Sequence, residues 1–424
     1  MEVYKFGGAS VRDAGAIRNA GAILKTIAPR PLAVVVSAMG KTTNALEAIV
    51  QAHYHAPEQL PGLVGSLQSY HATIVTELLG PGAENCLQDL HDLWVELGWI
   101  LEDEPSTDFN YQYDQIIVFG ELASTKIVSA YLRAAGVDHE WMDARSLIKT
   151  DNAYREARIL WDLTQSAIDG QLRKSLDKHG MVVTQGFIGS TVYNESTSLG
   201  REGSDYTAAI LAFVLDAGSV TIWKDVPGIM TGDPKRFPHV HKLDEISYLE
   251  AIEMTYYGAK VIHPKTVKPL QNKNIPLLVR PFDHPEEPGT KIGITDKKPD
   301  YPIVVVESNQ ALLRIATRDF SFVAEEHLSE IFTRLAHLRI KVNSMRNTAL
   351  SFMVCMTHDE SKLKQLITEL EDKYFIKVMD QLELFTVRHA DEAILRELKQ
   401  GREILFEEQF GKTFQFIVGS SSSL

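Results

Sequence analysis

Charged residues stand in glycine-rich turns at several places in the first two thirds of the chain, and the chemistry they offer is anion recognition. VYKFGGAS, from Val3 to Ser10, sets Lys5 beside Gly7 and Gly8 where a β-branched run gives way to a loop. Glycine lets backbone N–H groups approach a ligand and a helix start favours negative charge, so the segment reads as a phosphate cradle with Lys5 as a point charge, or as a tight turn and nothing more. GREGSDYTAA, from Gly200 to Ala209, places Arg201, Ser204 and Asp205 directly before a helical period. Ser204 or Asp205 can cap that helix, but capping leaves Arg201 unexplained. A guanidinium in such a turn suits a carboxylate or phosphate held by two parallel hydrogen bonds.

Other segments carry the same mixture of turn and charge. IWKDVPGIMTGDP, from Ile222 to Pro234, runs from a strand into a Pro-Gly turn, with Asp225 and Asp233 left over for a ligand once the turn is accounted for. In YYGAKVIHP, Lys260 follows a glycine that can end a helix, and it reads either as a solvated lysine or as an anion ligand. Glu121 follows Gly120 inside the otherwise apolar VFGELAST, so it belongs at a helix start or in a site. Two decoys fail on spacing. VVVSAMGKTT has Val35 where a P-loop needs its first glycine, and the second GKT, at Gly411 to Thr413, has Phe406 there. His239 and His241 lack a third ligand at useful spacing and read as loop rather than metal site.

The elements that must position these residues are legible from periodicity. Short β-branched runs, Val3 to Phe6, Leu32 to Ser37, Glu140 to Asp143, Met181 to Gly186, Ser219 to Lys224 and Ile275 to Val279, alternate with helical periods such as Ala14 to Thr26, Leu122 to Ala135 and Asp205 to Asp216. That alternation predicts an α/β domain around a mostly parallel sheet over residues 1–295. Between Thr42 and Asp103 the pattern is helical, with a break expected at PGLVG. A Pro-, Gly- and charge-rich linker follows the sheet, and residues 303–424 then read as small α+β units, the second one short, ending in an SSSSL tail.

Composition narrows the class. The chain has 424 residues, more than one compact core holds, and a formal net charge of −13 with no dense basic run, which argues against nucleic acid or an anionic membrane as partner. Its two cysteines, Cys86 and Cys355, form neither a disulfide framework nor a thiolate metal site, and no run of eighteen apolar residues occurs. A cytoplasmic small-molecule enzyme is expected.

Taken in order, KFGGAS, VVSA with Thr43-Asn44, Gly120-Glu121, TQGFIGS, GREGSDYTA, KDVPGIMTGDP and GAKVIHP resemble the aspartokinase branch of the amino-acid kinase family, and the tail is similar to that family's paired ACT domains. The resemblance implies the three-layer amino-acid kinase fold, ATP and Mg²⁺ as cofactors, L-aspartate as substrate, an amino-acid effector at the ACT region and a homodimer or larger assembly. It implies transfer of phosphate from ATP to the aspartate side chain, the first step toward lysine, threonine and methionine. Carried over by position, Lys5, Gly7, Gly8 and Ser10 face the transferred phosphate, with Ser37 and Ala38 in the same cleft. Thr43, Glu121, Phe187 and Arg201 hold the amino acid, Glu121 at its ammonium and Arg201 at a carboxylate. Asp205 orients Lys5 or a bound magnesium, with no direct metal ligand assigned; Lys224, Asp225, Met230 and Lys235 surround the nucleotide; Lys260, with Val261, reaches its phosphates.

Departures from the family pattern keep two other readings in view: a silent amino-acid sensor on the same scaffold and a kinase for glutamate or an N-acylated amino acid. Glu202 replaces a small glycine beside Arg201 and is expected to point to solvent rather than pair with a local cation. Lys224, Met230 and Lys235 stand where threonine, tyrosine and arginine are common. Asn343 stands where an aspartate commonly holds the effector's amine, which puts lysine feedback in question.

Overall fold

The computed structural model describes residues 1–26, 31–259, 262–319 and 321–419. They fall into two compact units. The first holds Met1–Ile229, Lys242–Ile252 and 262–297; the second holds Met230–His241, 253–259 and 298–419.

The first unit is built on an eight-stranded sheet. Its strands are β1 (Glu2–Phe6), β2 (Leu32–Val36), β3 (Glu140–Met142), β4 (Met181–Gln185), β7 (Ser219–Lys224), β8 (Glu245–Ser247), β9 (Leu277–Pro281) and β10 (Thr290–Gly293), while β5 (Ile188–Ser190) and β6 (Ser196–Ser198) form a separate hairpin. The order is β3-β4-β2-β1-β7-β9-β10-β8, parallel at every pair except β9 with β10. All five residues of β2 are buried, as a central parallel strand covered on both faces requires. Side chains alternate across the sheet. Tyr4, Phe6, Val34 and Val36 pack with Ile17 and Ile23 of helix Ala14–Thr26 and with Leu122 and Ile127 of helix Phe119–Ala134. Lys5 therefore emerges on the other face, where helix Gly203–Leu215 lies against β1, β2 and β7. That helix is apolar almost all round and buried along nearly its whole length, which makes it an inner layer rather than a surface helix.

Strand ends differ from the periodicity reading by a residue or two, and the short strands β8 and β10 carry too few residues for a period-2 signal. The helical lobe differs in one respect. Its break falls at Ala56–Gln59, and PGLVG belongs to helix Leu60–Leu79, with Pro61 in the first turn, where its missing N–H costs no intrahelical bond.

The second unit is a six-stranded antiparallel sheet of β11 (Ile303–Thr317), β12 (Val342–Asn347), β13 (Phe352–Thr357), β14 (Tyr374–Arg388), β15 (Ile404–Phe410) and β16 (Thr413–Gly419), ordered β12-β13-β11-β14-β16-β15. The two central strands, each fifteen residues long, are shared by both ACT-like halves, so the halves form one continuous sheet. Helices Glu325–His337 and Glu360–Leu370 supply Ile331, Leu335, Leu363 and Leu366 to a core with Leu313, Ile315 and Val354. Helix Glu392–Lys399 covers Phe385, Val387 and Phe416 in the second half, where the described chain ends with β16 and no further helix. The SSSSL segment lies outside the described residues. Among the described residues no helix is long and apolar enough to cross a membrane.

Candidate active site

The sheet order reverses direction at β1 and β7. The chain leaves β1 for β2 on one side, whereas β7 leads to β9 on the other, and loops that diverge at such a point open a crevice at the carboxyl ends of the strands. Lys5 and Lys224 come from these two strands and meet one carboxylate. Lys5 Nζ lies 2.6 Å from Asp205 Oδ1, and Lys224 Nζ lies 3.7 Å from Oδ2. Asp205 sits in the first turn of helix Gly203–Leu215 and is 2% exposed. Burial alone would raise its pKa; the Lys5 ammonium and then Lys224 outweigh that and hold the carboxyl below its ordinary value. The cationic groups Lys5, Lys224 and Arg201 outnumber Asp205 and Glu202 in this neighbourhood, a balance that favours an anion.

The glycines do a backbone job. A Cβ on Gly8 would stand 2.9 Å from the carbonyl oxygen of Ala38, and the Gly8 carbonyl accepts from Gly40 N at 3.0 Å. Ser37 N donates to Phe6 O at 3.1 Å, so the loops leaving β1 and β2 are laced main chain to main chain. Gly7 precedes the 3₁₀ turn Gly8–Val11, and a Cβ there would lie 3.5 Å from Lys5 Nζ. Ser10 is buried and donates its hydroxyl to Trp223 O at 3.4 Å, which braces this turn against β7.

A second set of residues surrounds Glu121, which is 3% exposed in the first turn of helix Phe119–Ala134. Burial pushes its carboxyl up to about 8, against hydrogen bonds from its own N–H and that of Ala38. Its Oε2 is buried with no hydrogen-bond partner among the described residues. A buried, unpaired carboxylate oxygen is a costly arrangement that a cationic donor would relieve. Gly120 keeps the helix close to its neighbours, since a Cβ there would come within 3.0 Å of Thr42 and Leu46. Thr43 is half-buried in the opening turn of helix Thr42–His55. Phe187, also half-buried, has a left-handed backbone (φ 70) and donates its N–H to Thr207 Oγ1 at 3.0 Å. Gly186 lets the strand exit touch the helix start: a Cβ would stand 2.4 Å from Ser204 Cβ. Arg201 is exposed in the turn before that helix.

Glu202 does not point to solvent. It is half-buried, and its Oε2 accepts from the backbone N–H of His263 at 3.1 Å. Burial raises its pKa, opposed by Lys224, Lys5 and Arg201 and reinforced by Asp205. Its backbone lies in the left-handed region at φ 53, which favours the glycine usual at this place. Asp225 follows β7 and is exposed, Met230 and Lys235 belong to the second unit, and Lys260 and Val261 lie outside the described residues.

Sequence reasoning passed over the residues that brace these loops. Asp114, fully buried, accepts from Ser198 N and Arg155 N, both at 2.8 Å, and from Ser198 Oγ at 2.6 Å, which fixes β6 just before the Arg201 turn. Burial pushes its carboxyl up to about 6 despite those donors. His71, buried in helix Leu60–Leu79, meets Thr42 Oγ1 at 3.3 Å through Nε2. For His71 the available signal is a lone histidine on the apolar face of Leu67, Ile74 and Val75, whereas Asp114 lies in the polar run FNYQYDQII and gives none.

The family model described as "Amino acid kinase family" matches residues 1–281, and the chain belongs to that family. Among its relatives is lysine-sensitive aspartokinase 3 of Escherichia coli strain K12, 31% identical over 390 residues, covering 90% of this chain and 85% of that protein. The chloroplastic bifunctional aspartokinase/homoserine dehydrogenase 1 of Arabidopsis thaliana is 30% identical over 88% of this chain, which spans only 42% of that longer protein. Crystal structures of E. coli aspartokinase III, one with aspartate and ADP and one with lysine and aspartate, superpose with TM-scores of 0.85 and 0.83. Each is 28% identical and covers 99% of this chain and 96% of the other.

Proposed function

We infer that this protein is an aspartate kinase, transferring the γ-phosphoryl group of ATP to the side-chain carboxylate of L-aspartate to give 4-phospho-L-aspartate and ADP in amino-acid biosynthesis. The observation that carries the reading is the pairing of a cationic cluster with a separate buried carboxylate: Lys5 and Lys224 around Asp205, and Glu121 with an unpaired oxygen. Phosphoryl transfer needs little covalent help from the protein; it needs two anions held in line and their charge offset.

In this reading Glu121 takes the substrate's α-ammonium and Arg201 its α-carboxylate, with Thr43 and Phe187 beside the bound amino acid. The β-carboxylate oxygen then attacks the γ-phosphorus while Lys5 and the Gly7–Gly8 turn stabilise charge on the transferred oxygens. Lys224 and Asp225 serve the nucleotide and Ser37 and Ala38 line the cleft, while Met230, Lys235 and Lys260 with Val261 take a nucleotide role from the family resemblance alone. Magnesium supplies additional charge neutralisation when bound with ATP. Both oxygens of Asp205 are engaged by lysines, so the carboxylate suits the role of orienting Lys5 better than direct metal ligation. We assign residues 1–295 to catalysis and 303–424 to amino-acid sensing and self-association, with the cytoplasm as the location. Incubation with ATP, Mg²⁺, aspartate and hydroxylamine is expected to yield aspartyl hydroxamate; absence of product, with the protein folded and with or without amino-acid effectors, would overturn the reading in favour of a silent sensor. Glutamate or N-acetylaspartate as the better acceptor would redirect it.

A further inference from the structure

Glu202 is the charged residue of the GREGSD turn that phosphoryl transfer leaves without a task. Its left-handed backbone, φ 53 and ψ 30, penalises a side chain, so the carboxylate must return something for being there. What it does is reach His263. That residue is the N-cap of helix Pro264–Asn272, its ring Nδ1 accepting from Lys265 N at 3.2 Å, and its own N–H precedes the helix and has no acceptor within it. Glu202 Oε2 supplies the acceptor at 3.1 Å. A carboxylate placed at a helix start also lies at the positive end of the helix dipole. The contact joins segments that are sixty-one residues apart in sequence, and both belong to the first compact unit.

We propose that Glu202 is a positioning residue that latches the start of helix Pro264–Asn272 to the turn that bears Arg201. The inference rests on the assignment of Lys260 and Val261, just before the latched residue in sequence, to the nucleotide phosphates. The turn assigned to the amino acid is then tied, by a side chain assigned to neither substrate, to a residue three positions after Lys260 in the sequence. Glycine at this place relaxes the turn but removes the latch.

The experiment compares Glu202→Gly, which keeps the backbone conformation and loses the acceptor, with Glu202→Gln, which keeps an acceptor oxygen. Two readouts are taken on the full chain: amide hydrogen exchange in peptides spanning residues 262–270, and steady-state kinetics at varied ATP. Loss of one hydrogen bond to a charged acceptor corresponds to about tenfold, so Glu202→Gly is expected to exchange about tenfold faster there and to raise the KM for ATP about tenfold, with kcat changed less than about threefold. Glu202→Gln is expected to restore both readouts to within about threefold of the parent. Unchanged exchange in Glu202→Gly overturns the latch whatever the kinetics. Equal KM increases in both variants overturn it as well, because charge and not the hydrogen bond would then be responsible. Faster exchange with an unchanged KM for ATP overturns the positioning role and traces the failure to the assignment of Lys260 and Val261, which the latch itself does not require.

Discussion

Lys5 Nζ and Asp205 Oδ1 lie 2.6 Å apart in a layer between sheet and helix where both residues are at least nine-tenths buried. The pair joins β1 to the helix of the GREGSD segment, and each charge depends on the other for its solvation. Replacing Lys5 by Met removes a preorganised positive group at the phosphate, an expected loss of about 3 kcal/mol of barrier, or on the order of a hundredfold in kcat. It also leaves Asp205 with Lys224 as its cationic partner among the described residues, so the melting temperature is expected to fall. Lys5→Met combined with Asp205→Leu is expected to recover the stability and none of the activity. Thermal melts and hydroxamate assays on the same preparations check this, and full activity in Lys5→Met would contradict the phosphate assignment.

Gly186 tests whether close approach of the β4 exit to the helix start is what glycine is for. A methyl group there meets Ser204 Cβ at 2.4 Å and Cα at 2.6 Å, distances that force the helix start to move. Gly186→Ala is expected to cost about 1–3 kcal/mol of stability and to raise the KM for aspartate, because Arg201 and Asp205 flank the displaced residue. Gly98→Ala is the control. In the middle of helix Glu84–Glu102, with open space around its missing Cβ, it is expected to stabilise by about 0.5–1 kcal/mol and leave the kinetics alone. Chemical denaturation of the two variants separates the cases.

The contrast between these two glycines shows what the sequence could and could not convey. Period and composition placed β1, β7 and helix Ala14–Thr26 almost to the residue, because each is long or strongly patterned enough to declare its buried face. They gave no sign that Gly186 touches Ser204, that Lys224 shares Asp205 with Lys5, or that Asp114 holds β6, since these are contacts between segments brought together only by the sheet order. The role of Glu202 was misread for the same reason: its partner is a backbone N–H sixty-one positions away, and backbone donors leave no mark in residue types.

Asn343 is where the regulatory reading can be tested. Its amide Nδ2 donates to Gln310 Oε1 at 2.8 Å and to Thr357 Oγ1 at 3.2 Å, while Asn343 Oδ1 and Ser344 Oγ are buried with no partner among the described residues. The groups hydrogen-bonded to Asn343 are uncharged, so they themselves give a ligand ammonium no counter-charge. Lysine is therefore expected to inhibit weakly. Asn343→Asp is expected to lower the lysine concentration for half inhibition about tenfold or more, the difference between a neutral and a charge-assisted hydrogen bond. Inhibition curves for lysine and threonine on parent and variant decide it, and strong lysine inhibition of the parent would refute the role given to charge at this position.

With Glu121 assigned to the substrate's ammonium, aspartate binding is expected to depend on pH in a direction that can be worked out. Burial holds its carboxyl at about 8, so at pH 7 the free protein carries it mainly protonated. A substrate ammonium favours the ionised form, and binding must therefore release a proton from Glu121. Affinity for aspartate is expected to rise with pH below about 8, approaching tenfold per unit well below that value, and to level off above it. Calorimetry at pH 7 in two buffers of different ionisation enthalpy is expected to show release approaching one proton. Glu121→Gln removes both the proton release and the slope, and with them the charge that meets the ammonium, at an expected cost of about 1.5–3 kcal/mol in affinity. Proton release that persists undiminished in Glu121→Gln would place the titrating group elsewhere and remove the ground for assigning the ammonium to this carboxylate.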